Sequence, residues 1–538
     1  MRRNPLLRDS GVPARDFTLE NPTARAIVAG HPMNFRLPLS LLMLVPVAAF
    51  SEITLAPLFS DHAVLQCDQP LPVWGRSAPR EKIAVTFREQ TVRTTADASG
   101  RWIVHLNALA ASSEPADLIV AGKETVTVRD VVVGELWLVS GQSNMEWPVA
   151  QAHEDERKLA AIDLPLVRHL KIERAVAAPP AYTARTSGWQ PATPATVGEF
   201  SAIGYFFARE IHRKTGVPVG IVNSSWGGTP IEAWMSDTAR RATSLDAAIE
   251  TRWQDALREW TPERVARYPA EMAAWQKAEE QAKAAGAKNA VPWPPPPATP
   301  DSPERPGSLF NAMIAPLQPA ALRGVLWYQG ESNTDRAAEY AELFPAMIRA
   351  WRANWRPAAA EPLPFYFVQL PNYASDEAGG RKWARLREAQ TKALALPATG
   401  MAVAIDLGDP DDIHPKRKLE VARRLAAIAK AQVYGIAGDH VGPVFEKASR
   451  EGPAMRVEFS HADGGLVAHG RPVQSLEIAG ADRIFHPATA RIERNTLVVS
   501  SPKVKEPVAV RYAWFNAPVA NLYNGAGLPA APFRSDDW

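Results

Sequence analysis

The sequence predicts an α/β protein: a parallel-sheet domain in the middle of the chain, with a β-rich, sandwich-like domain on either side. Three observations carry this. Residues 52–133 hold short alternating apolar runs, among them KIAVTFRE, GRWIVHL and TVTVRDVVV, separated by Gly, Pro, Asp and Ser, which is the spacing of strands in a sandwich. Over residues 134–433 apolar runs alternate with helical patterns, which implies parallel strands joined by crossover helices. Over residues 434–538 strand-like runs return, including MRVEFSH and ARIERNTLVVSS.

Within the middle domain the elements follow one another in order. ELWLVS (135–140) and VRHLKI (167–172) read as strands, 201–214 as a helix, PVGIVNSS (218–225) as a strand. A helix follows Tyr340, then the strand PFYFVQL (364–370), a helix from Arg381, the strand MAVAIDL (401–407), and a helix over 415–433 that Pro415 is suited to open. An insertion at 249–306 interrupts this order. Its first part is charged, Ala-rich and helical, with Trp253, Trp260 and Trp275; its second part, VPWPPPPATPDSPERP (291–306), reads as a stiff extended connector.

Composition narrows the function. Of 538 residues, 46% are hydrophobic and 22% charged, which sets aside a disordered chain. The formal charge is +2, and residues 1–51 hold six arginines against three acidic residues, leaving the remainder close to neutral. A nucleic-acid partner is therefore not expected. The single cysteine, Cys67, rules out an intramolecular disulfide and a multi-cysteine metal site, and its β-rich surroundings suit a small buried side chain. Residues 37–50 (LPLSLLMLVPVAAF) follow Arg36 and are too short to span about 30 Å of hydrocarbon. They read as a secretory signal cleaved near Ser51/Glu52, with Met33 as the start, giving a secreted, periplasmic protein with no membrane contact after cleavage.

Ligands of open α/β sheets bind beyond the carboxyl ends of the strands, and four such junctions are unusual: Gly141-Gln142-Ser143-Asn144-Met145, the SSWGGT stretch with Gly227 and Gly228, Gln329-Gly330-Glu331-Ser332-Asn333, and the stretch from Gly408 to His414. Ser143 stands where its hydroxyl can attack or, equally, cap a helix. His414 can supply the base, with Asp411 three residues before it and Asp412 two before as carboxylates that favour its charged form. An oxyanion would need donors: the amides of Ser143 and of Gly228 or Gly227, and a side-chain amide from Asn333 or Gln329. There is no Gly-x-Ser-x-Gly elbow, no His-Glu-x-x-His and no phosphate loop, and the Gly-rich stretch at 525–530 lies in a β region where it cannot serve a dinucleotide. Trp137, Trp147, Trp226, Trp234 and Trp327 flank the junctions and suit core packing more than sugar stacking.

Together the blocks GELWLVSGQSNMEWPV, VNSSWGGTPIEAWMS, GVLWYQGESNT, KWARLREAQ and DLGDPDDIHPKRKLEVARRLA, with the closing residues to Trp538, resemble the sialate O-acetylesterase family of the SGNH hydrolase superfamily. The resemblance covers residues 58–538. It implies a flavodoxin-like three-layer α/β/α catalytic domain and a serine esterase that removes O-acetyl groups from a sugar or glycan without metal or organic cofactor. It makes Ser143 the nucleophile, His414 the general base, and Gly228 an oxyanion donor. The superfamily's Asp-x-x-His spacing selects Asp411, whereas this branch's Asp-Ile-His-Pro string selects Asp412. Gly141-Gln142-Ser143 replaces the superfamily's Gly-Asp-Ser, and the oxyanion amide falls on Asn333 or, alternatively, Gln329. Rival readings are a deacetylase of acetylxylan or another polysaccharide, in which Arg387 has no substrate carboxylate to hold, and a non-catalytic carbohydrate-binding protein, against which the presence of both Ser143 and His414 counts.

Overall fold

One long strand, β1 (Thr125–Gly141), organises the molecule. The structure is a computed structural model that describes residues 52–286, 291–355, 361–374 and 380–538; the expected export signal and Met33 lie outside the described residues. From Val131 to Gly141 every residue of β1 is buried, as a mostly apolar run, interrupted by Glu135 and Ser140, requires of a strand covered on both faces. Its first part pairs antiparallel with Ser112–Ala121, which in turn pairs with Lys82–Phe87. A separate three-stranded sheet holds Thr54–Leu55, Leu71–Arg76 and Arg101–Leu106. In Arg101–Leu106 the residues Trp102, Val104 and Leu106 alternate with exposed ones and turn inward. The change of sequence pattern at 133/134 falls inside β1, which continues into the central parallel sheet.

The other strands of that sheet are β2 (Leu164–Ile172), β3 (Thr186–Ala192), β4 (Val219–Ser225), β5 (Gly324–Tyr328), β6 (Phe365–Gln369) and β7 (Thr399–Val403), in the spatial order β3-β2-β4-β1-β5-β6-β7. All neighbouring pairs from β2 to β7 are parallel, and β3 is antiparallel to β2 at the edge. Counted along the chain, β1, β4, β5, β6 and β7 lie in the flavodoxin-like order 2-1-3-4-5, whose switch point, between β1 and β5, opens a crevice at the carboxyl ends. Helix α1 (Ala202–Thr215) leads into β4; α2 (Asp246–Glu259) and α3 (Pro262–Ala284) form the insertion; α4 (Ala337–Trp355), α5 (Lys382–Thr391) and α6 (Leu419–Gln432) follow β5, β6 and β7. α1 packs on α6, and α4 on α5, the two layers that right-handed crossovers produce from this strand order. The expected three-layer α/β class is therefore the one observed.

Local chemistry sets the element ends. The Ser201 hydroxyl accepts the Gly204 N–H at 3.1 Å and Gly216 closes α1 at φ +73°, an N-cap and a left-handed C-cap. α6 begins at Leu419, later than Pro415, because residues 415–418 complete a loop in which Glu156 Oε2 accepts the Lys418 N–H at 2.9 Å. β7 stops at Val403, and Leu407 N–H turns back to the Ala404 carbonyl at 3.0 Å. The C-terminal region forms two four-stranded antiparallel sheets around their own core of Val457, Ile478, Leu497, Val510 and Tyr512. No helix among the described residues is long and apolar enough to cross a membrane.

Gly141 ends β1 at φ +132°, and a Cβ there would lie 2.1 Å from the Tyr328 carbonyl oxygen. Gly141→Ala is expected to destabilise the protein by about 2 kcal/mol or more, read as a fall in the thermal unfolding midpoint. An unchanged midpoint would contradict this approach of β1 to β5.

Candidate active site

The four unusual strand ends converge at the switch point. β1 delivers Ser143 as the first residue of a single helical turn, Ser143–Glu146, where it is half-buried. His414, 271 residues further on, places Nε2 2.8 Å from the Ser143 hydroxyl oxygen. The imidazole stacks on Trp147, with centroids 4.8 Å apart and planes inclined by 18°. Asp412 is the expected acid that the structure turns toward His414, its Oδ1 accepting the His414 backbone N–H at 2.8 Å. Asp411 is exposed, with its backbone N–H on Asp409 Oδ1 at 2.9 Å.

Asn144 fastens three of the loops together. Its Nδ2 donates to Glu331 Oε1 at 2.7 Å and to the Ile413 carbonyl at 3.0 Å, and its Oδ1 accepts from Lys418 Nζ at 2.6 Å. An ammonium donor on one side and a carboxylate on the other fix the amide orientation. Lys418 is buried, and that burial pushes its ammonium down to about 7 against the opposing charges of Glu331, Asp412 and Glu156. Glu331 is raised by the same cause. His414 is held below the ordinary imidazole range first by burial and then by the Lys418 charge, with Asp412 acting in the opposite direction.

The two glycines of the second junction have different partners. Gly227 N–H donates to Glu146 Oε2 at 3.0 Å, and Glu146 is gripped by Arg174 through two bonds of 2.9 and 2.7 Å. Gly228 sits at φ +77° with open space where a Cβ would point. Among the described residues no hydrogen-bond partner occupies its N–H or that of Ser143, so two backbone donors remain available in these loops.

The side-chain donor expected from Asn333, or alternatively Gln329, is not presented to the crevice. Both residues are fully buried. Asn333 Oδ1 accepts from Ile231 N–H at 2.9 Å and Gln329 Nε2 at 2.7 Å, and its Nδ2 donates to Glu232 Oε2 at 2.9 Å. Gln329 Nε2 also donates to the Thr229 carbonyl at 3.2 Å. These amides tie the loop after β5 to the loop after β4, because buried polar groups take protein partners when water is excluded. Arg387 likewise holds no substrate carboxylate: it is fully buried and donates to the carbonyls of Leu370, Pro371, Phe515 and Asn516 at 2.6–2.8 Å. Trp137, Trp234 and Trp327 are core residues, and the Cys67 thiol is buried and pushed up to about 12. Lys418 and Glu146 escaped the sequence reading. Lys418 stands in a Lys-Arg-Lys run that looks like a helix surface, and the one signal for Glu146 was its place directly after Gln-Ser-Asn-Met.

Residues 133–286 and 282–430 match a family model described as carbohydrate esterase, sialic acid-specific acetylesterase. A sialate O-acetylesterase of Rattus norvegicus is 30% identical over 550 residues, covering 93% of this chain and 98% of its own. That of Homo sapiens is 27% identical over 521 residues, covering 86% and 88%. The crystal structure of a carbohydrate acetylesterase from Xanthomonas citri, 42% identical, covers 90% of this chain and 100% of its own with a TM-score of 0.75.

For His414 to act as a general base it must be neutral, and kcat/KM would then rise with pH through its pKa. Because that pKa is lowered in the fold, the acid limb is expected below about 6.5, the unperturbed value. Lys418→Met removes a charge that lowers it and should move the limb to higher pH; Asp412→Asn removes one that raises it and should move the limb lower. Profiles of the three proteins check this, and the reverse order of the variants would contradict it.

Proposed function

The chain belongs to the sialic acid-specific acetylesterase family of carbohydrate esterases, and from that premise we propose that it removes O-acetyl groups from a carbohydrate with Ser143 as nucleophile and His414 as general base. As a class it is a carboxylic ester hydrolase. The observation that carries the mechanism is the 2.8 Å contact between Ser143 Oγ and His414 Nε2, the arrangement that lets a weak hydroxyl nucleophile lose its proton as it attacks.

Ser143 Oγ attacks the acetyl carbonyl carbon while its proton passes to Nε2 of His414. The carbonyl oxygen gains charge between the N–H groups of Ser143 and Gly228, donors that need no reorganisation at the moment of reaction. Collapse breaks the bond to the sugar oxygen, which leaves with the proton from Nε2. A water then gives its proton to Nε2 and attacks the acetyl-serine; acetate departs and the Ser143 hydroxyl is restored. Asp412 stabilises the transient imidazolium through its charge, and we assign it this role in place of Asp411. Trp147 keeps the ring in plane for both transfers. The apolar segment at 37–50, read as an export signal, places the reaction outside the cytoplasm.

Ser143→Ala is expected to lower kcat on 4-nitrophenyl acetate by about 10⁴-fold or more, with an unchanged circular dichroism spectrum and melting midpoint. Retention of the wild-type rate by the folded variant would overturn the assignment.

A further inference from the structure

A cavity of about 330 Å³ opens at the loop that follows β4. Gly228 and Ser332, from the loops after β4 and β5, line one side. The neighbouring Gly227 lies so close to Ser143 that a Cβ on it would be 3.0 Å from the serine Cβ, so the cavity adjoins the reacting group. Most of the remaining wall comes from the insertion, including Trp253, Trp260 and Glu304. Its volume and aromatic lining fall in the range of small-molecule sites.

Three features show what the wall can recognise. Trp260 is held in place, with the Arg264 guanidinium 4.2 Å from its ring centroid and Tyr268 edge-on at 6.2 Å. Glu304 is half-buried and forms no ion pair among the described residues; its carboxyl is bonded by its own backbone N–H and keeps further acceptor positions for hydroxyls. The two arginines of the wall are each ion-paired: Arg252 makes bonds of 3.1 and 2.9 Å to Glu339, and Arg336 bonds Glu232 at 3.1 Å. The prolines of the connector, among them Pro296 and Pro306 on the wall, restrict the backbone beforehand and so reduce the ordering cost of binding.

We propose that residues 249–260 and 296–306 of the insertion build the saccharide subsite, seating the acetylated sugar with a ring face on Trp260 and hydroxyls bonded to Glu304, and that this subsite takes a neutral sugar. No unpaired cation lines the cavity among the described residues, so a sugar carboxylate would be buried there without a partner, at a cost. The proposal rests on Ser143 being the nucleophile.

The test compares wild type, Trp260→Ala and Glu304→Gln on three acetyl esters: an acetylated xylo-oligosaccharide, O-acetylated sialic acid, and ethyl acetate followed by pH-stat titration. Each variant is expected to lose at least ten-fold more kcat/KM on the xylo-oligosaccharide than on ethyl acetate, with the excess in KM, and wild type is expected to prefer the xylo-oligosaccharide to the sialic acid ester. Equal losses on sugar and ethyl acetate, or no loss on either, would overturn the subsite; a wild-type preference for the sialic acid ester would overturn the neutral-sugar assignment. Ethyl acetate turnover by Ser143→Ala tests the nucleophile separately: persistence at the wild-type rate removes the underlying mechanism, whereas its loss leaves the subsite to be judged on the variants alone.

Discussion

A hydroxyl from the centre of the sheet and an imidazole from beyond its edge must meet at hydrogen-bond distance, and much of the architecture serves that meeting. β1 and β7 are separated by β5 and β6, about 14 Å at the usual strand spacing. The chain after β7 therefore has to travel back across two strand ends before His414 can reach Ser143. It is secured at several points along the way: Arg424 grips Asp406 through bonds of 2.7 and 2.8 Å, Asp412 bonds the His414 backbone, and Asn144 holds the Ile413 carbonyl. At the receiving end, Gly141 permits β1 to approach β5 where a side chain would collide. Preorganisation of this kind is what the proposed roles of nucleophile and base require of two ordinary residues.

The same loops arrange charge around the histidine. Lys418 is buried one hydrogen bond from the residue following the nucleophile, and its ammonium lies 5.4 Å from the Trp147 ring on which His414 stacks. Burial of an ammonium is costly unless partners surround it, and here Asn144, Glu331 and Glu156 lie around it. The consequence for chemistry is a base biased toward its neutral form, ready to take a proton, with Asp412 limiting how far that bias goes. Structural and catalytic demands fall on the same side chains, since Asn144 both joins the loops and fixes the site of Lys418.

Much of this was legible in the residues. The alternation of apolar runs indicated the strand and helix order, and the strand-end loops pointed to Ser143, His414 and the Gly227-Gly228 pair as candidates, because strand ends carry the ligands of such sheets; the family resemblance selected Gly228. Long-range polar pairing was not legible. Asn333 stands in a loop motif beside Gly330 and looks available, yet the bonds to Ile231 and Glu232 that remove it from the crevice come from a segment about a hundred residues away. Lys418 looks like a surface residue until α6 begins one residue later and turns it inward. Arg387 carries a charge that suggests a ligand, while four backbone carbonyls claim it. The insertion reads as a stiff excursion, and its role as a cavity wall depends on where its ends return. Local pattern determines elements; the partners of buried polar groups are set by tertiary structure.

In the proposed mechanism Ser143 carries the acetyl group between its two bonds, to sugar and to water. Peptide mass spectrometry after rapid acid quench of the enzyme turning over a slowly deacylating acetyl ester tests this most directly. An acetyl group is expected on the peptide containing Ser143, localised to that residue by fragmentation, with no such adduct in Ser143→Ala. Turnover with no adduct on Ser143, or with the acetyl group localised to another side chain, would contradict it.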